Sequence, residues 1–194
     1  TQSGYQYGQG AFRYCTSLQH VDFPKSLQTI GTHAFEICTS LRHVGFSEGL
    51  LTIKEGAFYA CSIDTLIFPE SLKTIAHEAF YSSDSLRYIE LPTHNIDINV
   101  CLYPTCDHYY SSDSFHGVHS DSLTIKIKSP FVQQTVLLDN TNVTVLVPDF
   151  LVSAYKVSNW KDFKNIKGFS TDEVKDWYIE SPLVLDAKSR LKGA

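Results

Sequence analysis

The residues best suited to chemistry gather between positions 94 and 119. This stretch holds four histidines and two cysteines: His94, Cys101, Cys106, His108, His116 and His119. Imidazole and thiolate groups are the usual protein ligands of zinc. Their spacing, however, does not closely match the C-x2–4-C and H-x3–5-H pairs typical of structural zinc sites. Three interpretations stay open: a metal site, a Cys101–Cys106 disulfide in an exported protein, and free thiols in a packed loop.

Motifs for other reactions are missing from the sequence. It contains no glycine-rich phosphate loop, no His-Glu-x-x-His and no Gly-x-Ser-x-Gly. Each of these motifs places a nucleophile, a metal or a phosphate at a fixed turn or helix face. The carboxylates are scattered, and nothing points to a Ser/His/Asp set. The sequence therefore predicts a protein that is not an enzyme and has no cofactor.

The elements that would position any site come from an internal repeat. An Ala-Phe pair occurs at Ala11-Phe12, Ala34-Phe35, Ala57-Phe58 and Ala79-Phe80, with steps of 23, 23 and 22 residues. The third repeat lacks one residue after Ser62, which accounts for the shorter step. A fixed period of roughly 20–30 residues indicates stacked supersecondary units, because no unit can bury its apolar side alone.

The hydrophobic pattern changes within each repeat. Pairs such as Val21 and Phe23, or Leu66 and Phe68, alternate with polar or small residues, which predicts a half-buried strand. The Ala-Phe-x-x-Cys stretch instead puts Ala and Cys four residues apart, which predicts one helical turn. Each coil is expected to contain a strand, a turn, a short second strand and a short helix. Because one repeat position is shared by Cys15, Cys38 and Cys61, we predict a ladder of buried thiols.

The repeat resembles the leucine-rich repeats of the BspA-like family, found in bacterial and protist surface proteins. The residues that carry the resemblance follow Leu-x-x-Val/Ile-x-Phe/Leu-Pro-x-x-Leu-x-x-Ile-Gly-x-x-Ala-Phe-x-x-Cys over about residues 4–92. It implies an α/β repeat fold, a right-handed solenoid with a parallel β-sheet on the concave face and short helical or 3-10 turns on the convex face. It also implies a role in adhesion or protein recognition at the cell surface or in secreted form.

The predicted organisation has three parts. Residues 1–148 form the solenoid, with regular repeats in 1–92, an irregular insertion in 93–122 and two degraded repeats in 123–148. Residues 149–168 form a C-terminal helical cap rich in aromatic residues, and 169–194 hold a short helix and a tail of unknown role. Since Tyr7-Gly8 takes the repeat position of Ile30-Gly31, the sequence enters within a repeat, and we expect that an N-terminal part has been removed.

Composition limits the classes of partner. The chain has 194 residues and a net charge of −5 without a basic run, which argues against nucleic acid. No apolar stretch approaches the roughly 20 residues that span a bilayer, so no membrane insertion is predicted within this chain. The expected partner is a protein or another extracellular ligand.

Outward positions of the predicted concave sheet are the candidate ligand-binding residues. They are His20, Asp22, Arg42, His43, Arg87, Tyr88 and Glu90. Arg and Tyr are enriched at recognition hot spots, and the charges here are mixed, which favours a protein partner over a polyanion. Two alternatives remain: a metal-dependent or enzymatic module on the 94–119 stretch, and a structural spacer with a merely solvated sheet face.

Overall fold

The alternating segments of the repeats form short parallel strands along one long face of the molecule. The structure, a computed structural model, describes residues 10–94, 96–100, 114–115, 118–120, 122–129, 142–158 and 160–170. On this face lie β1 (His20–Asp22), β3 (His43–Gly45), β5 (Thr65–Ile67), β7 (Tyr88–Leu91), β9 (Thr124–Ile127), β10 (Thr144–Pro148) and β11 (Asn165–Phe169). We call the outward side of these strands the front face.

The short second strand of each repeat contributes to another sheet. Its strands are β2 (Thr29–Ile30), β4 (Thr52–Ile53), β6 (Thr74–Ala76) and β8 (Asp97–Val100), which are parallel and follow that order. The predicted parallel-sheet solenoid of stacked coils is therefore confirmed. The strands expected in the degraded repeats are also present, because β9 and β10 extend the front-face sheet in register.

A column of phenylalanine rings runs through the interior. The rings of Phe12, Phe35, Phe58 and Phe80 stack with centroids 5.1, 5.2 and 5.3 Å apart and planes within 7° of parallel. Phe58 and Phe80 are fully buried, whereas Phe12 at the first coil is 49% exposed. Stacked aromatic pairs contribute beyond their area burial, so this column holds the coils in register.

The column continues into the stretch that the sequence analysis treated as an irregular insertion. Phe115 stacks on Phe80 at 5.2 Å. The Ser114 carbonyl accepts the Phe80 N–H at 2.8 Å, just as the Ala79 carbonyl accepts the Phe58 N–H. Ser114-Phe115 is thus a fifth copy of the Ala-Phe pair. The repeat period does not reveal this copy, because Ser replaces Ala and the step from Phe80 is 35 residues.

The Ala-Phe segments are turns, so the short helical or 3-10 turns predicted for this side of the coils are not confirmed as helices. In the second repeat, His33 (φ 54°) and Ile37 (φ 59°) are left-handed, and Glu78 (φ 56°) and Ser82 (φ 55°) take the same positions in the fourth. An α-helix needs negative φ at every residue, so two left-handed residues four apart prevent it. The described residues of these repeats contain no helix.

The segment predicted as a C-terminal cap contains a 3-10 helix (Asp149–Leu151), α1 (Val152–Val157) and β11. Pro148 takes the N-cap position of the 3-10 helix, and Asp149 lies in its first turn. Ile166 lies in β11 and pairs with Val145 of β10. The short helix predicted after Ser170 lies outside the described residues.

Candidate functional site

Side chains of the front face alternate between the core and solvent. In β5, Leu66 is fully buried and Ile67 is 55% exposed. The same alternation turns His20 and Asp22 outward in β1. It also separates Tyr88 and Glu90 from the buried Ile89 and Leu91 in β7. The structure thus places the candidate strand residues on one face.

The half of the front face built by β5, β7 and β9 carries an internally paired network. Lys128 Nζ lies 2.9 Å from Glu70 Oε1 and 3.1 Å from Glu90 Oε1. The Tyr88 hydroxyl donates to Glu90 Oε2 at 2.7 Å, and Lys126 Nζ lies 3.8 Å from the same atom. Most charged groups of this half are therefore held by each other.

Electrostatics keep these groups in their paired forms. Burial by itself would raise the pKa of Glu90, but hydrogen bonds from Tyr88 and Lys128 outweigh it and lower the pKa. Burial and the bond to Glu90 raise the pKa of Tyr88. Burial opposes ionisation of Lys128, yet its bonds to Glu70 and Glu90 raise the pKa of the ammonium group. Glu70, Tyr88, Glu90 and Lys128 consequently form a fixed set of hydrogen-bond donors and acceptors at neutral pH.

The half built by β1 and β3 is more open to water. His20 Nε2 lies 2.7 Å from Asp22 Oδ2, and these side chains are 57% and 71% exposed. His43 Nδ1 lies 3.8 Å from Asp64 Oδ1, with exposures of 63% and 35%. Exposed pairs of this kind contribute little to stability. Their groups are consequently available to a ligand at little cost to the fold.

An open groove of about 310 Å³ lies in this half and extends over β1, β3 and β5. It is lined by His20, Asp22, His43, Val44, Gly45, Phe46, Thr65 and Ile67. Pockets for small molecules span roughly 300–1,000 Å³, so this groove suits one or two side chains or a small ligand. It combines apolar walls with imidazole, carboxylate and hydroxyl groups.

Gly45 makes room for Asp22 in this groove. A Cβ at position 45 would meet the carboxylate of Asp22, which leans across from the neighbouring strand and would have to move. The missing side chain also leaves the floor of the groove low between Val44 and Phe46. Gly45 stands where the other repeats have Asp22, Ile67 and Glu90, so the open floor is particular to this coil.

The two candidate arginines have different surroundings. Arg87 Nη1 donates to Ser122 Oγ at 2.7 Å, so it is engaged within the molecule. Arg42 is exposed immediately before β3, and its carbonyl accepts the Asp64 N–H at 3.3 Å. Of the two, Arg42 is the one beside the groove.

The alternative of a metal site finds no cluster in the part of the chain that the structure describes. His94 lies 2.8 Å from the Leu72 carbonyl, and His119 lies 3.1 Å from Asp84. These two histidines therefore have separate neighbours. The remaining members of the set lie outside the described residues: Cys101, Cys106, His108 and His116.

The repeated cysteines form a ladder of thiol donors. Cys38 Sγ–H donates to the Phe12 carbonyl and Cys61 Sγ–H to the Phe35 carbonyl, each at 3.1 Å. Burial raises the pKa of the Cys61 thiol to about 12 and raises that of Cys38 as well. Both thiols stay protonated and unreactive. Cys15 differs from the prediction because it is exposed.

Sequence reasoning did not find Glu70, Lys126 and Lys128 as part of the front face. The available signal was the alternation Thr124-Ile125-Lys126-Ile127-Lys128, which turns both lysines to the polar side. Contact with Glu70, 58 residues away from Lys128, has no local signal at all.

No helix in the described residues has the length and apolar character needed to cross a membrane. Stacked coils with parallel strands, a phenylalanine column and a polar outward sheet define a leucine-rich-repeat solenoid. The chain belongs to the BspA type leucine rich repeat family, whose profile matches residues 6–111 in six copies.

Two solved structures are similar to this chain. A leucine-rich repeat protein of T. pallidum is 24% identical, with a TM-score of 0.47, over 82% of this chain and 76% of that one. A leucine-rich repeat protein from Bacteroides ovatus is 16% identical, with a TM-score of 0.32, over 84% of this chain and 63% of that one. No curated protein matches the sequence.

Proposed function

We propose that this protein is a non-enzymatic recognition module, at the cell surface or in secreted form, that binds a protein on the front face. Membership of a leucine-rich-repeat family supports a binding role. Repeat solenoids present extended surfaces that suit such binding.

The observation that carries the proposal is the unequal use of polar groups along the front face. Around Glu90 they are paired within the molecule, whereas around His43 they are exposed beside a groove. Ile67, an aliphatic side chain that is 55% exposed, lies in that same groove. An apolar residue surrounded by exposed polar groups has the composition of a recognition surface. A spacer has no need of this arrangement.

Site-specific crosslinking tests the proposal. A photoreactive amino acid such as benzoylphenylalanine replaces Ile67 in the groove and, as the matched control, Val157, which is 83% exposed on α1. We expect light-dependent crosslinks to a partner protein in the native cell or its medium from position 67 and none from position 157. Equal crosslinking from both positions, or from position 157 alone, would contradict a front-face binding role.

Localisation is tested separately with the protein in its native cell. Antibody labelling of intact cells, compared with permeabilised cells, reports whether the solenoid is exported. We expect labelling without permeabilisation, or recovery of the protein from the medium. Labelling confined to permeabilised cells contradicts the export part of the proposal and leaves the binding face unaffected.

A further inference from the structure

The groove lies beside an interruption of the front-face sheet. β1 and β3 form a two-stranded sheet, and β5, β7, β9, β10 and β11 form a separate five-stranded one. Between β3 and β5, no ladder is formed, although residues 42–68 are all described. We call this gap the seam. The second sheet crosses the same point without a break, since β4 pairs with both β2 and β6.

The seam lies in the repeat that lacks one residue. Cys38 is separated from Val44 by five residues, and Ser83 from Ile89 by five, but Cys61 is separated from Leu66 by only four. The Arg42 and His43 N–H groups both approach the Gln19 carbonyl, and the Arg87 and Tyr88 N–H groups both approach the Asp64 carbonyl. At the seam, where every residue is described, only the Asp64 N–H approaches the Arg42 carbonyl, and Thr65 adds no second bond. The coil with the shorter approach is thus the one that lacks this bond, while β5 keeps its register with β7.

At the interruption, the Phe46 N–H and the Ile67 carbonyl do not form the hydrogen bond that the equivalent groups form in other coils. Phe23 N–H donates to the Gly45 carbonyl, and Phe68 N–H donates to the Glu90 carbonyl, each at 3.0 Å. Phe46 holds the same repeat position between them, yet in this described segment it makes no such bond to Ile67. Phe46 and Ile67 both line the groove. An amide or carbonyl without a bond in a sheet is a favourable site for an incoming polar group.

Charge indicates what kind of group would enter. Asp22 lines the groove and its carboxylate leans over Gly45, whereas Asp64 lies outside the lining, beside His43. The carboxylate in the lining favours a cationic group. A guanidinium group is planar and offers five donors, which suits a carboxylate and a carbonyl. The exposed Ile67 provides an apolar wall for the methylene stem.

We propose that the seam between β3 and β5 binds the arginine side chain of an extended segment of the partner protein. Its guanidinium group is received by Asp22 and the Ile67 carbonyl, and its stem packs on Ile67. The Phe46 N–H is left to donate to a carbonyl of the bound segment. This inference rests on the proposed function, since it names the group that the front face recognises.

A peptide titration tests the proposal directly. The probe is the blocked peptide acetyl-Gly-Ile-Arg-Ile-Gly-amide, and the control replaces Arg with citrulline, which has nearly the same shape without the charge. Amide chemical shifts of the full chain are followed by NMR. We expect the arginine peptide to shift the Gly45, Phe46 and Ile67 amides, with the citrulline peptide weaker by about tenfold or more because charge-assisted bonds are lost.

Two variants distinguish the contribution of the missing β3–β5 ladder from that of the Asp22 carboxylate. Insertion of one serine after Ser62 gives the third repeat the length of the second, so it should restore the β3–β5 ladder, slow hydrogen exchange of the Phe46 amide and abolish the shifts. Asp22→Asn changes a residue that is 71% exposed, so it should fold normally and weaken arginine-peptide binding by about tenfold.

Three outcomes would overturn the proposal: equal binding of the two peptides, arginine-peptide shifts that avoid the seam amides, and unchanged binding to Asp22→Asn. If the insertion variant does not fold, Asp22→Asn and the citrulline peptide still decide the question. Crosslinking from position 67 together with a failed peptide titration would leave the front-face function standing without the arginine site. If both the crosslinking and the peptide titration fail, the front-face function and the arginine site are both contradicted.

Discussion

At the scale of single residues, the column of phenylalanines and the ladder of thiols show how the coils are joined. Phe35, Phe58 and Phe80 each stack on their counterparts in both neighbouring coils. Each buried thiol bonds to a carbonyl of the preceding coil. Such contacts are made between repeats, so their strength depends on how many neighbours a coil has. Two substitutions measure this dependence.

The phenylalanine column should be strong in its middle and weak at its first member. Phe58→Ala removes a fully buried ring between Phe35 and Phe80, so it should lower the free energy of unfolding by about 3–5 kcal/mol. Phe12→Ala, the matched control, removes a ring that is 49% exposed and should cost clearly less. Chemical denaturation measures both values. Equal losses of unfolding free energy in the two variants would contradict a column that is stronger at Phe58 than at Phe12.

Replacement of one serine should stabilise the protein. Ser83 takes the repeat position of Cys61 and is fully buried, but its hydroxyl has no hydrogen-bond partner in the described residues. A buried hydroxyl without a partner costs about 1–3 kcal/mol. Ser83→Cys provides the longer thiol that reaches a carbonyl of the preceding coil elsewhere in the ladder, so we expect a gain of about 1 kcal/mol. Ser83→Ala is the control for loss of the hydroxyl alone.

At the scale of elements, the turns that carry the Ala-Phe pairs are connected by buried charged residues. Arg13 Nη2 lies 2.7 Å from Glu36 Oε1, and His77 Nε2 lies 2.9 Å from Glu55 Oε1. Each pair joins one coil to the next at the Ala-Phe turns, which belong to neither sheet. Because Glu55 and His77 are largely shielded from water, their protonation is tied to folding.

The stability of these turns should depend on pH through Glu55. Burial, and then the nearby Glu78, raise the pKa of Glu55 to about 7. The folded state therefore holds a proton that the unfolded chain releases near its ordinary pKa of 4.5, and stability falls as pH rises from 4.5 through about 7. Glu55→Gln removes the ionising group, so relative to wild type it should gain about 1–3 kcal/mol between pH 5 and 8.

His77 supplies an opposite dependence that the same measurement can separate. Burial lowers the pKa of His77, so the contribution of the neutral imidazole is present above 6.5 and is lost as pH falls through the lowered pKa. Denaturation curves of wild type, Glu55→Gln and His77→Gln at pH 5, 6, 7 and 8 distinguish the two. A wild-type curve that parallels Glu55→Gln across this range would show that Glu55 is not the group that titrates.

At the scale of the whole molecule, a solenoid has two ends, and each end leaves a coil without a neighbour. In the C-terminal segment, Tyr155 and Trp160 are fully buried and Phe163 is nearly so. Their rings lie 5.8 and 5.0 Å apart in sequence order. This aromatic cluster belongs to the same buried core as β10 and β11, and we expect it to cover the apolar surface of the last described coil.

Loss of that cluster should cause self-association. Trp160→Ala combined with Phe163→Ala removes two buried rings, so it should lower the melting temperature and expose apolar surface together with strand edges that pair with other copies. Light scattering measures association and calorimetry measures melting. Val157→Ala, at a position 83% exposed, is the control and should change neither. A monomeric double variant with wild-type melting would show that the segment is not a cap.

The repeat, the two strands of each coil and the stacking of Phe12, Phe35, Phe58 and Phe80 were predictable from sequence. Each repeat states the same pattern independently, and period-2 alternation reports burial without knowledge of neighbours. The outward positions of His20, Tyr88 and Glu90 follow from the same rule. Local information was sufficient wherever a residue's environment is set by its own coil.

The tertiary structure decided what depends on contacts between coils. The residue missing after Ser62 is visible in the sequence, but only the positions of β3 and β5 show that the front-face sheet is interrupted in that repeat. The left-handed turns at His33 and Ile37, the place of Phe115 in the column and the pairing of Lys128 with Glu70 likewise involve coils on both sides. Spacing along the chain specifies a coil, whereas register and charge pairing between coils are set when the coils stack.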